Sequence, residues 1–320
     1  MANLLRTFTF LEQSLQQAIP CMLLQVVESR GSSPGRGGFC MGVNLAGSMA
    51  GSIGGGMMEH KLVETARAFL KEASGKTLVL PQVHSKQAER HQSGMICSGE
   101  QTVLLYHLKA SDLTPLQEII NAELKHIPAS FFLRPEGISF QQQAAEISWQ
   151  HWNESKWEYR GLAGKKPVLH IAGGGHCALA LSRQMKLLDF RIHLYETRPA
   201  INTLIDNVFA DEVTILKDYS ELNFHLQHCS EDLVVVMTFG YRTDDEAIRA
   251  LKNMNFAWLG LLGSKSKIAK MMEDYRSEGF PEDWLKSISA PVGLPIKSQT
   301  PEEIAVSIAA EIIAFRNKNL

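Results

Sequence analysis

Two glycine turns in the second half of the chain carry the first residues that could do chemistry. Gly173-Gly174-Gly175-His176-Cys177-Ala178 fits G-x-G-x-x-A, with the acid Glu196 ~20 residues further on. Such a turn suits a phosphate. Gly173 permits a tight turn, Gly175 lets the backbone approach the ligand, and Ala178 allows close helix–strand packing. The helix opening at His176 offers free N–H groups and a partial positive charge. Glu196 would meet a ribose hydroxyl, and Arg198 would either favour a phosphorylated ribose or pair with Glu196. The competing reading is a sheet of the same shape that binds no dinucleotide. Leu262-Gly263-Ser264-Lys265-Ser266-Lys267 forms another strand-to-helix turn. There Ser264 reads as a helix cap facing the same crevice, and Lys265 and Lys267 as anion contacts or as solvated lysines.

The first half carries three small-residue turns. Gly51-Ser52-Ile53-Gly54-Gly55-Gly56-Met57-Met58-Glu59 precedes a helix and reads as a backbone nest for an anion or a flat ligand, or as a turn that packs tightly. Gly31-Ser32-Ser33-Pro34-Gly35-Arg36 adds a turn with one cation, Arg36. Gly94-Met95-Ile96-Cys97-Ser98-Gly99 adds one with a thiol, Cys97. No H-E-x-x-H pair is present. His225 and His228, next to Cys229, form a trio that could bind metal, or that simply ends a surface helix.

The elements that position these residues follow from periodicity. Leu5, Phe8, Leu11 and Leu15 recur at helical spacing. CMLLQVVES is a strand, FCMGVNLAGSMAGS gives short strands, MMEHKLVETARAFLKEAS is a helix, and TLVLPQV and EQTVLLYHL are strands. A helix is expected over Asp112–Leu124. Residues 130–164 are polar, with weak periodicity, and read as edge strands. The boundary falls near Gly161–Lys166, giving a glycine-rich α+β domain over 1–164 and a second domain over 165–320. In the second, Val168–Ala172 runs into the glycines, a helix and a strand ending at Glu196, a βαβ unit. FADEVTIL, DLVVVMTF and AWLGLLG read as further buried strands between helices such as DDEAIRALKN. This pattern implies a Rossmann-like parallel sheet covered on both faces, so the fold class is α/β. Thr300, Pro301 and Glu303 spell a capping box for the last helix.

Bulk properties narrow the classes. The 320 residues carry a net charge of −2, 45% hydrophobic and 21% charged residues, and no basic run, which argues against nucleic acid or anionic membrane as partner. Five cysteines, Cys21, Cys40, Cys97, Cys177 and Cys229, include no C-x-x-C pair, so they read as free thiols of a reducing compartment, with Cys40 a buried structural thiol. No secretory signal and no run of ~18 apolar residues appears, so the expected location is cytoplasmic. Trp149, Trp152 and Trp157 read as exposed, which points to a homodimer.

In this order the motifs resemble the XdhC/CoxI family, accessory factors of xanthine dehydrogenase and related molybdenum hydroxylases. The resemblance spans nearly the whole chain. It rests on ESRGSSPGRGG, GSIGGGMMEHKLVETA and GMICSGEQTVLL in the first domain. In the second it rests on LHIAGGGHCALAL, YETRP, VVVMTFGYRTDDEAI, LGLLGSKSKIAKM and Ala290–Ala314. It implies a carrier that binds molybdenum cofactor (molybdopterin), favours its sulfuration by a cysteine desulfurase, and delivers it to an apo-xanthine dehydrogenase or a related molybdenum hydroxylase. The residues it points to are Arg36, Gly54, Gly55, Gly56 and Glu59 in the first domain. In the second they are Gly173, Gly175, His176, Glu196, Gly263 and Ser264. A cleft would shield the cofactor's dithiolene. The chain departs from the family pattern at Met57 and Ile96, where many relatives have cysteine, and at Phe239, where many have histidine. Cys97 is thereby the motif thiol left to contact molybdenum or relay sulfur. The enzymatic alternative is an NAD(P)-dependent oxidoreductase with Glu196 on the ribose. It needs a proton donor, whereas the first-domain motifs offer glycine, small residues and a thiol. A nucleotide-sensing regulator is a third reading.

Overall fold

A computed structural model describes residues 2–72, 75–83 and 99–318. The chain divides into two compact units, Met1–Lys165 and Lys166–Leu320.

The first unit is built on β1 (Cys21–Gly31), β2 (Cys40–Asn44), β3 (Met49–Gly51), β4 (Leu78–Val83) and β5 (Gly99–His107), an antiparallel sheet in the order β3-β2-β1-β5-β4. Its central strand is buried from Cys21 to Val27, and apolar there apart from Gln25, because both faces are covered. Met22, Leu24 and Val26 join Leu62, Val63 and Ala66 of α2 (Gly56–Lys71) in one core. Cys21, Leu23 and Val27 join Phe8 and Leu11 of α1 (Ala2–Gln16), and Leu116 and Ile119 of α3 (Leu113–Lys125), in the other. Gln25, on the second face, donates from Nε2 to the Phe39 carbonyl at 3.2 Å and to the Tyr159 hydroxyl at 3.3 Å.

The tract read only as edge strands is a second antiparallel sheet. Its strands are β6 (Ala129–Leu133), β7 (Ile138–Gln141), β8 (Ser148–Asn153) and β9 (Lys156–Ala163), in the order β7-β6-β9-β8. The signal lies in β9, where Trp157, Tyr159, Gly161 and Ala163 alternate inward. It is diluted by β8, which is exposed along most of its length. The structure corrects the reading of Trp157. It is 3% exposed and meets Tyr106 edge-to-face at 6.2 Å between centroids, while Trp152 is the exposed one of the three.

The second unit contains β10 (Val168–Ala172), β11 (Arg191–Glu196), β12 (Glu212–Ile215), β13 (Leu233–Val236), β14 (Trp258–Leu261) and β15 (Ile288–Ser289). All pair in parallel, in the order β12-β11-β10-β13-β14-β15. Counted from the first strand this is 3-2-1-4-5-6, the order of dinucleotide-binding sheets, with the switch between β10 and β13. Its helices are α4 (His176–Leu187), α5 (Asn202–Ile205), α6 (Leu222–His225), α7 (Tyr241–Ala250), α8 (Lys265–Ser277), α9 (Glu282–Ser287) and α10 (Pro301–Arg316). Two separate cores cover the two faces, one carrying Val234, Val236 and Met271, the other Leu169, Ile171 and Ile308. The strand read from FADEVTIL is not buried. It forms the sheet edge, with Val213 and Ile215 exposed. At α10, Thr300 Oγ1 accepts the Glu303 N–H and the Glu303 carboxylate accepts the Thr300 N–H, both at 3.2 Å. Among the described residues no helix is long and apolar enough to cross a membrane.

Candidate functional site

β10 and β13 stay paired to their carboxyl ends, the Met237 N–H donating to the Ala172 carbonyl at 2.8 Å, and the first glycine turn lies there, at the switch point. Gly173 has φ +114°, in the region that favours glycine, and its N–H donates to the Tyr195 carbonyl at 2.8 Å. A Cβ on Gly173 would stand 2.4 Å from the Met237 carbonyl oxygen and 2.8 Å from Thr238 Cα, so the turn is clamped against the end of β13. Gly175 differs. It is the N-cap of α4 in extended conformation, and no described atom lies within 4 Å of where its Cβ would be. Having no side chain, it leaves the first-turn amides of α4 open to an outside acceptor. His176 follows, exposed, and Ala178 is buried against the sheet.

Two more helices start at the same edge, after the neighbouring strands β13 and β14. Gly240 caps α7 with the same open space above it. Sequence reasoning did not single out Gly240, although its place between VVVMTF and the helix is a glycine-at-N-cap signal. Ser264 caps α8, its Oγ accepting the Lys267 N–H at 3.3 Å. A Cβ on Gly263 would press on the Lys267 and Ile268 side chains. Lys267 pairs with Asp244, a buried carboxylate, and Lys265 is exposed. Of the two lysines read as anion contacts, Lys267 is thus occupied.

The carboxylates of this edge bind the fold's own amides. Glu196 is fully buried at the end of β11. Its Oε2 accepts the Gly174 N–H at 2.8 Å and an Arg198 guanidinium N–H at 2.8 Å. Its Oε1 accepts the Thr197 and Arg198 amides at 2.7 and 3.0 Å and Arg198 Nε at 3.0 Å. Burial works against ionisation here, but the Arg198 guanidinium and the three amides outweigh it and bring the carboxyl from 4.5 to about 2. Of the two roles open to Arg198, the structure displays the pairing. The guanidinium also lies 4.6 Å over the exposed Phe239 ring. A ribose would have to compete with these donors for Glu196.

The first unit shows the same device. Gly54, Gly55 and Gly56 all have positive φ, and the Glu59 carboxylate accepts Ser52 Oγ, the Ile53 N–H and the Gly55 N–H at 2.7, 2.9 and 3.1 Å. The nest at the start of α2 therefore holds an anion that the chain itself supplies. Tertiary structure also brings the small-residue turns together. A Cβ on Gly35 would stand 2.1 Å from the Ile53 carbonyl oxygen, and one on Gly99 2.5 Å from Ser33 N. Gln101 ties two of them, accepting the Gly35 N–H at 3.1 Å and donating to the Ile53 carbonyl at 3.3 Å. Arg36 is exposed and donates to the Gly31 carbonyl at 3.0 Å. Cys97 lies outside the described residues. Cys40 is fully buried, and burial pushes its thiol up to about 12.

The trio read from sequence around Cys229 is regrouped. His225 and His228 are exposed. Cys229 instead lies with His170 and Asp232, one ligand-capable atom of each within 4.8 Å of the others. Burial and the neighbouring Asp232 push the Cys229 thiol up to about 11. Spacing gave no sign of this group, since His170 is 59 positions before Cys229.

Comparison with known proteins places the chain in a family. Residues 14–80 match the XdhC and CoxI family and residues 169–312 match the XdhC Rossmann domain. The chain belongs to the XdhC and CoxI family. An uncharacterized protein of Escherichia coli (strain K12), YqeB, is 26% identical over 315 residues, 97% of this chain and 46% of that protein, so the chain spans about half the length of this relative. A probable xanthine dehydrogenase subunit of Bacillus subtilis (strain 168) is 24% identical over 331 residues, covering 97% of each. A crystal structure described as a xanthine dehydrogenase from Bacillus halodurans superposes with a TM-score of 0.72 at 22% identity, over 98% of this chain and 97% of that one, and shares the fold.

Proposed function

We propose that this protein is an accessory factor of a xanthine dehydrogenase-type molybdenum hydroxylase, binding the molybdenum cofactor and aiding its sulfuration and insertion into the apo-enzyme. One observation carries the reading. The N-terminus of α4 begins at the switch point on a glycine with empty space above it, and Gly240 opens the neighbouring helix start in the same way. This fits the phosphate of molybdopterin. The Gly175–His176 end of α4 would hold that phosphate, with Gly240 leaving room beside it. When bound, the cofactor supplies the molybdenum–dithiolene group that the client enzyme uses. The chain's own residues orient the phosphate and supply partial positive charge. Family membership and the name of the Bacillus subtilis relative, a dehydrogenase component, support the accessory role. The sulfuration partner is a cysteine desulfurase, and Cys97 is the thiol assigned to molybdenum contact or sulfur relay.

The glycine turn and the strand order also favour the dinucleotide reading, so the test separates the two. Purified protein is titrated anaerobically with molybdenum cofactor and, separately, with NADH and NADPH. Stoichiometric cofactor binding with weak nucleotide binding is the expected result, and the reverse overturns the proposal. In Gly175→Asp a carboxylate enters the phosphate space from a backbone that any residue adopts. We expect cofactor affinity to fall at least ~10-fold with the melting temperature unchanged. Cys97→Ser is expected to slow transfer to an apo-hydroxylase while leaving the fold intact, and unchanged transfer removes Cys97 from the mechanism.

A further inference from the structure

The second unit carries another group of ligand-type side chains, away from its glycine turns. His170 sits in the middle of β10, three residues before Gly173, and is 3% exposed. Asp232 immediately precedes β13, and Cys229 lies in the loop leading to it. His170 Nε2 is 3.0 Å from Asp232 Oδ2, and its Nδ1 is 3.1 Å from the Tyr195 hydroxyl on β11. One nitrogen, one sulfur and one oxygen from three separate places in the sequence thus converge within 4.8 Å.

We infer that His170, Cys229 and Asp232 form a binding site for a borderline divalent transition-metal ion of the zinc type. The donor set is the mixed N, S, O set that such ions take. The spacing suits it, since ligand atoms around one tetrahedral ion at ~2.0–2.3 Å lie roughly 3.3–3.8 Å apart, a small adjustment from the observed cluster. Tyr195 plays the outer role. With the metal bound, Nδ1–H would donate to its hydroxyl and hold the His170 ring in the tautomer that aims the Nε2 lone pair at the ion. Cys229 and Asp232 are half-buried, so one side of the group faces solvent, giving an access route and an open fourth position. On binding, two metal–ligand bonds replace the His170–Asp232 hydrogen bond, and the proton held between Nε2 and Oδ2 moves to Nδ1, leaving both atoms free to ligate. The Cys229 S–H bond breaks, the thiolate becomes the third ligand, and the proton leaves to water. The inference is independent of the cofactor proposal, because the ligands lie on β10 and in the loop at the amino end of β13, not at the carboxyl ends that carry the glycine turns.

The test uses the full chain, stripped with a chelator and titrated anaerobically with Co2+ as a coloured stand-in for Zn2+. The expected result is one equivalent bound, a sulfur-to-cobalt charge-transfer band, and displacement of that band by Zn2+. Cys229→Ser is expected to lose the band and at least ~10-fold in affinity, and Tyr195→Phe to keep the band while binding ~10-fold more weakly. The His225→Ala/His228→Ala and Cys97→Ser variants are expected to match the parent, which distinguishes this group from the surface histidines and from the motif thiol. A second readout needs no variant. Zn2+ is expected to protect Cys229 from alkylation, read by peptide mass spectrometry. Absence of a cobalt–thiolate band, its persistence in Cys229→Ser, or unprotected Cys229 in the presence of Zn2+ overturns the site.

Discussion

Replacing Gly173 with alanine will cost the second unit at least ~3 kcal/mol, while the same change at Gly175, two residues on, will stay within ~1 kcal/mol. The motif contains both glycines, but the structure uses them differently. At Gly173 the backbone has φ +114° and a methyl group would land 2.4 Å from a carbonyl oxygen and 2.7 Å from its carbon, both in Met237. Neither atom belongs to a flexible side chain, so β10 and β13 would have to separate where their pairing positions both turns. At Gly175 the backbone is extended, with φ −73°, and the methyl meets nothing described. Urea denaturation of the full chain measures the difference, and hydrogen exchange of the β10 and β13 amides localises it. Equal losses at the two positions would show that the turn is not clamped against β13.

Glu196→Ala is expected to cost ~3–5 kcal/mol, with the loss depending on pH in a defined direction. The truncation strands the Gly174, Thr197 and Arg198 amides and leaves the Arg198 guanidinium beside a cavity. The carboxyl's folded value, about 2, lies below its ordinary 4.5. Its contribution is therefore complete above the ordinary value and is lost as pH falls towards the folded one. Through linkage this amounts to ~3 kcal/mol. Acid unfolding of the parent should thus steepen below about pH 4.5, and in Glu196→Gln, which has no proton to take up there, that part of the slope should vanish. Parallel acid profiles for parent and Glu196→Gln would mean that the carboxylate does not brace the turn. Glu196→Ala has functional interest too, since it releases the Gly174 N–H, an amide that a phosphate at this turn would otherwise contest with Glu196.

Much of this protein is legible in its amino-acid order alone. The βαβ unit at the first glycine turn, the buried runs of β13 and β14, the capping box of α10 and the opening helix all depend on residues within a few positions of one another. Periodicity, caps and turn chemistry report such interactions directly. The motifs that mark the XdhC and CoxI family are likewise contiguous strings. Whatever depends on distant partners is settled only by folding. FADEVTIL looks like any apolar strand, and only its place at the sheet edge leaves Val213 and Ile215 exposed. Trp157 sits in a polar stretch, yet the pairing of β9 with β6 turns it into the core. Glu196 reads as a ligand-binding acid from its spacing and Glu59 from the family resemblance, but the folded backbone delivers amides to both. His170, Cys229 and Asp232 meet because β10 and β13 are sheet neighbours although their starts, Val168 and Leu233, lie far apart in the chain, a pairing set by the strand order and invisible to any local pattern.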